Sequence, residues 1–223
     1  MSINVAIDGP AGAGKSTIAR MLARELNYIY VDTGAMYRAM ALYMIEHKID
    51  VSHLDEVESA CDAITIDIQY SAGEQQVILN GKNVNDFIRT ETVSEMSSKI
   101  SAIPEVREKL LSLQRSLAVA ENVIMDGRDI GTHVLPNADV KIFLTADAHV
   151  RAVRRYEEFI AKGVSCTLEN VEREVIERDE RDMNRAIAPL KQAEDAVRVD
   201  TSAMTIEEVV CYLKNLIGQA VAR

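Results

Sequence analysis

The chain is poor in cysteine, in positive charge and in long apolar runs, and each shortage excludes a class of protein. Its three cysteines, Cys61, Cys166 and Cys211, lie far apart and form no C-x-x-C pair, so neither a disulfide framework nor a zinc site is expected and a reducing compartment fits. Lysine and arginine number 25 against 35 aspartates and glutamates. The resulting net charge of -10 argues against a general binder of nucleic acid or acidic membrane, whose surfaces select for clustered positive charge. No apolar run approaches the roughly 20 residues of a membrane helix, and the opening MSINVAIDG lacks a basic segment followed by a long apolar one. A cytoplasmic protein with neither nucleic acid nor membrane as partner is expected. The lack of an exposed apolar repeat makes a monomer the default.

What is present suits one compact globular unit: 223 residues, 48% of them hydrophobic, are enough for one core and a second small lobe. INVAID (3–8) reads as a short buried strand, followed by a glycine loop and then by STIARMLARELN, where Ile18, Leu22 and Leu26 recur every four residues. YIYVD (28–32) reads as a second strand, and in the helical AMYRAMALYMIEHK the residues Met36, Met40, Ala41 and Met44 share one face, as core packing requires. Residues 63–87 change period: AITIDIQYS and QQVILNG alternate apolar and polar residues around AGE, which predicts an inserted antiparallel hairpin with one wet face. After Pro104 the stripe Val106, Leu110, Leu113 and Leu117 predicts a helix. NVIMD (122–126), VKIFL (140–144) and the more polar AVRVDTS (196–202) predict further parallel strands, with one long charged helical segment from about 149 to 186 before the last of them. Thr205 and Glu208 have capping-box spacing ahead of a closing helix. Strands alternating with helices predict an α/β fold, a doubly wound parallel sheet with a small antiparallel insert.

IDGPAGAGKST (7–17) carries the clearest chemistry. Gly9, Gly14, Lys15 and Ser16 satisfy G-x-x-x-x-G-K-[ST], with Pro10, Ala11, Gly12 and Ala13 inside the loop and Thr17 beside it. Glycines let the backbone curl until several N–H groups point at one phosphate, the following helix presents its positive end, and the lysine reaches the outer phosphates. Ser16 is placed to offer its hydroxyl to Mg²⁺. A nucleoside triphosphate bound with Mg²⁺ is the expected ligand.

A P-loop alone does not say whether the γ-phosphoryl passes to water or to a substrate. No N-K-x-D signature of guanine-specific GTPases follows a later strand. Arginines instead gather at separated places in an acidic chain: Arg38, Arg107, Arg128, then Arg151, Arg154 and Arg155, then Arg173, Arg178, Arg181 and Arg185. Guanidinium forks hold phosphate oxygens and stay charged, which is what two mutually repelling phosphates need if they are to be aligned for transfer. In ERDERDMNR (177–185), Arg178, Arg181 or Asp182, and Arg185 fall on one helical face; a solvated helix laced with ion pairs is the competing reading. MDGRDIG (125–131) puts Asp126, Arg128 and Asp129 just past the carboxyl end of a buried strand, where ligands of open α/β sheets bind. There Asp126 can orient Mg²⁺ or its waters, Arg128 can hold a phosphate, and Asp129 can accept hydrogen bonds from a base or ribose.

Taken in order, IDGPAGAGKST, DTGAMYR (32–38), FIRTETV (87–93), PEVREKLLSLQR (104–115), MDGRDIGT (125–132), VKIFLTA (140–146) and ERDERDMNRAIAPL (177–190) resemble the bacterial cytidylate (CMP) kinase family, within the nucleoside monophosphate kinases, over essentially the whole chain. The resemblance implies transfer of the γ-phosphoryl of ATP to CMP or dCMP. It further implies that Thr33 and Arg38 contact the acceptor nucleotide, that Ser98 and Arg107 reach the cytosine and the phosphate, and that Arg128 and Asp129 hold phosphate and sugar. Asp129 and Asp182 would recognise the ribose, while Arg178 and Arg185 would sit over the pocket. In family terms the single P-loop kinase domain divides into a core (about 1–60, 118–150 and 190–223), a monophosphate-binding insert (about 61–117) and a lid (about 151–189). Two rivals remain at this level: a kinase of the same scaffold acting on another monophosphate or a small hydroxyl metabolite, and a non-catalytic nucleotide-binding regulator.

Overall fold

The computed structural model describes residues 2–221. Along the chain, strand β1 (Asn4–Asp8) runs through the glycine loop into helix α1 (Lys15–Leu26), and β2 (Ile29–Asp32) runs directly into α2 (Thr33–Glu46). Helix α3 (Leu54–Ala63) leads into a hairpin of β3 (Ile66–Ser71) and β4 (Glu74–Leu79) with the short β5 (Lys82–Asn83) beside it. Helices α4 (Glu91–Ile100) and α5 (Pro104–Ala120) return the chain to β6 (Val123–Gly127), followed by a π-helical turn over Ile130–Val134 and β7 (Val140–Thr145). Helices α6 (Ala148–Ala161) and α7 (Leu168–Asn184), strand β8 (Val197–Asp200) and helix α8 (Ile206–Val221) complete it.

The five strands of the larger sheet stand in the order β2-β6-β1-β7-β8, and every neighbouring pair is parallel. The inner strands β6, β1 and β7, buried on both faces, are mostly apolar rather than alternating, while the edge strand β8 keeps Arg198 and Asp200 exposed. Their side chains divide between two cores. Ala6, Val31, Val123 and Met125 face Met36, Met40 and Met44 of α2 with Val106 and Leu110 of α5. Val5, Ile7, Tyr30 and Ile124 face Ile18 and Leu22 of α1 with Val209, Leu213 and Ile217 of α8. The sheet is therefore doubly wound, as its sequence pattern predicts. The period-two segment forms a separate three-stranded antiparallel sheet, β3-β4-β5, whose inward residues Ile66, Val77 and Leu79 join the first core.

Local signals place the ends of several helices. Asp32 caps α2 by accepting the Ala35 N–H at 2.8 Å. Thr205 and Glu208 form the expected capping box ahead of α8, with N–H to side-chain distances of 2.8 and 3.2 Å. The expectation of one helical segment from 149 to 186 is corrected: it is two helices, α6 and α7. Gly163 adopts φ +74, a left-handed conformation that ends the first helix, and Thr167 caps the second by accepting from Asn170 N–H at 3.3 Å. The pair is held together by its own small core of Ala152, Val171 and Val175 with Tyr156, Phe159 and Leu168 against it. Helix α3 was not expected, because its stripe is only Val57, Ala60 and Cys61.

Candidate active site

At the carboxyl end of β1 the chain passes so close to β7 that a Cβ on Gly9 would lie 1.9 Å from the Leu144 carbonyl oxygen, so residue 9 must be glycine. Gly12, at φ +77, turns the loop in the left-handed region beside Arg151. The loop ends as Lys15 opens α1; its Nζ is buried and donates to the Pro10 carbonyl at 2.8 Å, which curls the side chain back over the loop. Burial, and then the neighbouring charge of Arg128, push the Lys15 ammonium well below the ordinary lysine value, a penalty that an anion in the loop would reverse.

Across from the loop, the Asp126 carboxylate is shared by two hydroxyls. Ser16 donates to Oδ2 and Tyr30 to Oδ1, each at 2.9 Å. Burial and the charge of Asp32 raise Asp126 above the usual carboxylate range, so the charged form is held in a demanding position. Thr33 donates to the Asp126 carbonyl at 2.7 Å, fixing the start of α2 against the end of β6. The expectation that Asp126 lies past the strand is corrected: pairing with β1 and β2 continues through it, so it sits within β6, one residue before its end, while Arg128 and Asp129 follow the strand.

Most of the remaining residues singled out from sequence gather around that strand end, whereas Arg154 is taken up by Thr201 and Arg173 by Asn170. Arg128 Nε donates to Asp182 of α7 at 2.9 Å. Arg107 of α5 and Arg185, just past α7, both hold Asp129, the latter at 3.2 Å. Arg38 reaches Asp32 at 3.1 Å, and Arg178 donates to Ser94 of α4 at 3.2 Å. Burial and then Arg128 lower Arg178 to about 10. Burial would raise Asp182, but Arg128 and Arg178 outweigh it and hold the carboxyl below its ordinary value. Ser98, one turn along α4 from Ser94, has a buried hydroxyl. Among the described residues it lacks a hydrogen-bond partner, as do the buried Nε atoms of Arg38, Arg107, Arg155 and Arg178. Buried polar atoms are ordinarily paired, so this set of donors calls for an anionic ligand rich in acceptors. Of the loop residues, Thr17 is exposed, and Arg181 turns outward to the Glu177 carbonyl at 3.3 Å.

Several contributors escaped the sequence reading. Asp8 accepts the N–H groups of Ile130 and Gly131, both at 2.7 Å, and so pins the turn that carries Arg128 and Asp129; burial raises it to about 6 in spite of those bonds. An acidic residue closing an otherwise apolar strand was the available signal. Arg151 of α6, marked in the sequence only as one of the gathered arginines, donates to the carbonyls of Ala146 and Ala11 at 2.8 and 3.1 Å and to Asp179 of α7 at 2.6 Å, a link between α6, α7 and the loop that the sequence did not show. Tyr30, Gln75 and Arg89 carried no sequence signal of their own.

A sequence profile of the family described as cytidylate kinase matches residues 5–219. The cytidylate kinase of Carboxydothermus hydrogenoformans is 49% identical over 217 residues, spanning 97% of this chain and 98% of that protein. That of Caldicellulosiruptor saccharolyticus is 50% identical over 208 residues, 93% of this chain and 92% of that one. The crystal structure of an uncharacterized protein from Eubacterium ventriosum shares 14% identity and superposes with a TM-score of 0.52 over 98% of this chain and 99% of that one, which shows a common fold.

Proposed function

The chain belongs to the cytidylate kinase family, and on that premise we propose that it transfers the γ-phosphoryl of ATP to CMP or dCMP, giving CDP or dCDP and ADP. The observation that carries this reading is the facing arrangement of a buried P-loop lysine and a group of arginines with unpaired Nε atoms at the end of β6. One side suits a donor polyphosphate and the other an acceptor phosphate. The acceptor oxygen is already anionic at neutral pH, so transfer needs alignment and charge neutralisation rather than a strong base.

In this account residues 9–17 hold the donor phosphates, with Lys15 on the transferred group. Arg38, Arg107, Arg128 and Arg185 hold the acceptor phosphate, Ser98 faces the cytosine, Thr33, Asp129 and Asp182 position the nucleoside, and Arg178 spans both sides. The oxygen donors Ser16 and Asp126 lie within 2.9 Å of each other at the loop, a set that fits Mg²⁺ held by the hydroxyl directly and by the carboxylate through water. When bound there, Mg²⁺ supplies positive charge to the donor phosphates. Residues 61–117 act as the monophosphate-binding insert and 151–189 as a lid whose closure excludes water that would otherwise take the phosphoryl group. Among the described residues no helix is long and apolar enough to cross a membrane. We propose that the chain acts in the cytoplasm, as a monomer.

A panel of monophosphates with ATP and Mg²⁺ tests the assignment. Fast turnover with CMP and dCMP, slower with UMP and negligible with AMP or GMP supports it. A preference for another acceptor assigns a different kinase, and no turnover with any acceptor assigns a regulator.

A further inference from the structure

Strand β2 lies at the edge of the main sheet, so alternate residues turn their backbone N–H and C=O groups away from β6. The Tyr30 carbonyl and both backbone groups of Asp32 are met not by another strand but by side chains of the small sheet. Gln75 of β4 accepts the Asp32 N–H at 2.9 Å through Oε1 and donates to the Asp32 carbonyl at 3.2 Å through Nε2, so that its amide closes a pair of bonds as a neighbouring strand would. Tyr70 of β3 donates its hydroxyl to the Tyr30 carbonyl at 3.1 Å. Gln75 shares the inward register of Val77 and Leu79, is 8% exposed, and is the one polar residue in that row of β4.

The residue that Gln75 grips is also a junction of the acceptor side. Asp32 caps α2, holds Arg38 at 3.1 Å and receives Arg89, from the segment after β5, at 3.4 Å. A shift of the small sheet would move the Asp32 backbone, and with it the carboxylate that aims Arg38. We propose that Gln75 is a positioning residue for the acceptor nucleotide: its amide docks the inserted sheet on the edge of β2 and fixes Asp32, and through it Arg38. The proposal rests on the assignment of a monophosphate acceptor to this side. The donor loop follows another strand, β1, and Gln75 makes no hydrogen bond to it.

Gln75→Met keeps the length of the side chain and removes both hydrogen bonds, and Gln75→Glu keeps the acceptor while removing the donor. Steady-state kinetics should show KM for CMP rising about tenfold in Gln75→Met and by less in Gln75→Glu, with KM for ATP and kcat at saturating CMP near those of the unchanged chain. Loss of packing alone would instead lower stability and leave the ratio of the two KM values where it was. Hydrogen exchange of the free protein gives a second reading that needs no activity: the Asp32 amide and residues 66–79 should lose protection in Gln75→Met, while β1 and β7 keep theirs. If Gln75→Met does not fold, Gln75→Glu carries both measurements. An unchanged KM ratio, or unchanged protection at Asp32, overturns the proposal. If the unchanged chain does not phosphorylate CMP, the functional assignment is what fails, and exchange at Asp32 still decides whether the latch exists.

Discussion

Arg128 and Asp182, 54 residues apart in the chain, meet at 2.9 Å and tie the turn after β6 to helix α7. The pair is largely buried, so each partner is costly without the other. Asp182→Asn should lower stability by about 1–3 kcal/mol at pH 7 and weaken CMP binding about tenfold. The carboxyl is held below its ordinary value, so the stability it contributes is present above the unfolded pKa and is lost as pH falls through the folded one. Denaturant unfolding of the two forms should therefore differ at pH 7 and converge in strong acid.

Lys15 carries its charge in a buried setting that disfavours it. Lys15→Ala should cut turnover about a thousandfold or more, because stabilisation of the transferred phosphoryl is lost. The melting temperature should stay level or rise, because a desolvated ammonium has been removed.

For Asp8 the pH sign is opposite to that of Asp182. Its folded pKa, about 6, lies above the ordinary 3.8, so the native state binds a proton that the unfolded chain has released. The associated stability is complete below pH 3.8 and is lost as pH rises through about 6, a swing on the order of 3 kcal/mol. Asp8→Asn should flatten the fall in stability between pH 4 and 6.5, measured by unfolding at fixed temperature against the parent chain.

Arg151 and Asp179 make a buried pair that also reaches the loop through the Ala11 carbonyl. Arg151→Met alone strands the carboxylate and should cost about 3–5 kcal/mol. Combining it with Asp179→Leu should restore most of that stability yet leave KM for ATP raised, since the loop has lost its donor. Unfolding and steady-state kinetics on the single and double variants read the two effects separately.

Much of this was legible in the sequence, for local reasons. The P-loop spacing, the apolar strands and the Thr205 capping box each depend on neighbours within a few residues, and each is found where the pattern puts it. The break between α6 and α7 was less visible, because the uncharged stretch 163–168 that carries it is short and lies between two long charged helices. Apart from the acidic end of β1, contacts across the fold left little mark. MDGRDIG marks Asp129 as an acceptor for a ligand, and nothing near it says that Arg107 and Arg185 will share its carboxylate. Gln75 is a further case: with Gln76 beside it and Ile78 as apolar as Val77 and Leu79, nothing in the strand's pattern says which of the two glutamines turns inward.

The account stands most directly on where the transferred phosphoryl goes. When ATP labelled in its γ-phosphate is incubated with the purified chain, Mg²⁺ and CMP, the label should appear in CDP, with little released as inorganic phosphate. Label that accumulates as inorganic phosphate, or that stays in ATP whether or not CMP is present, would contradict the two-phosphate site.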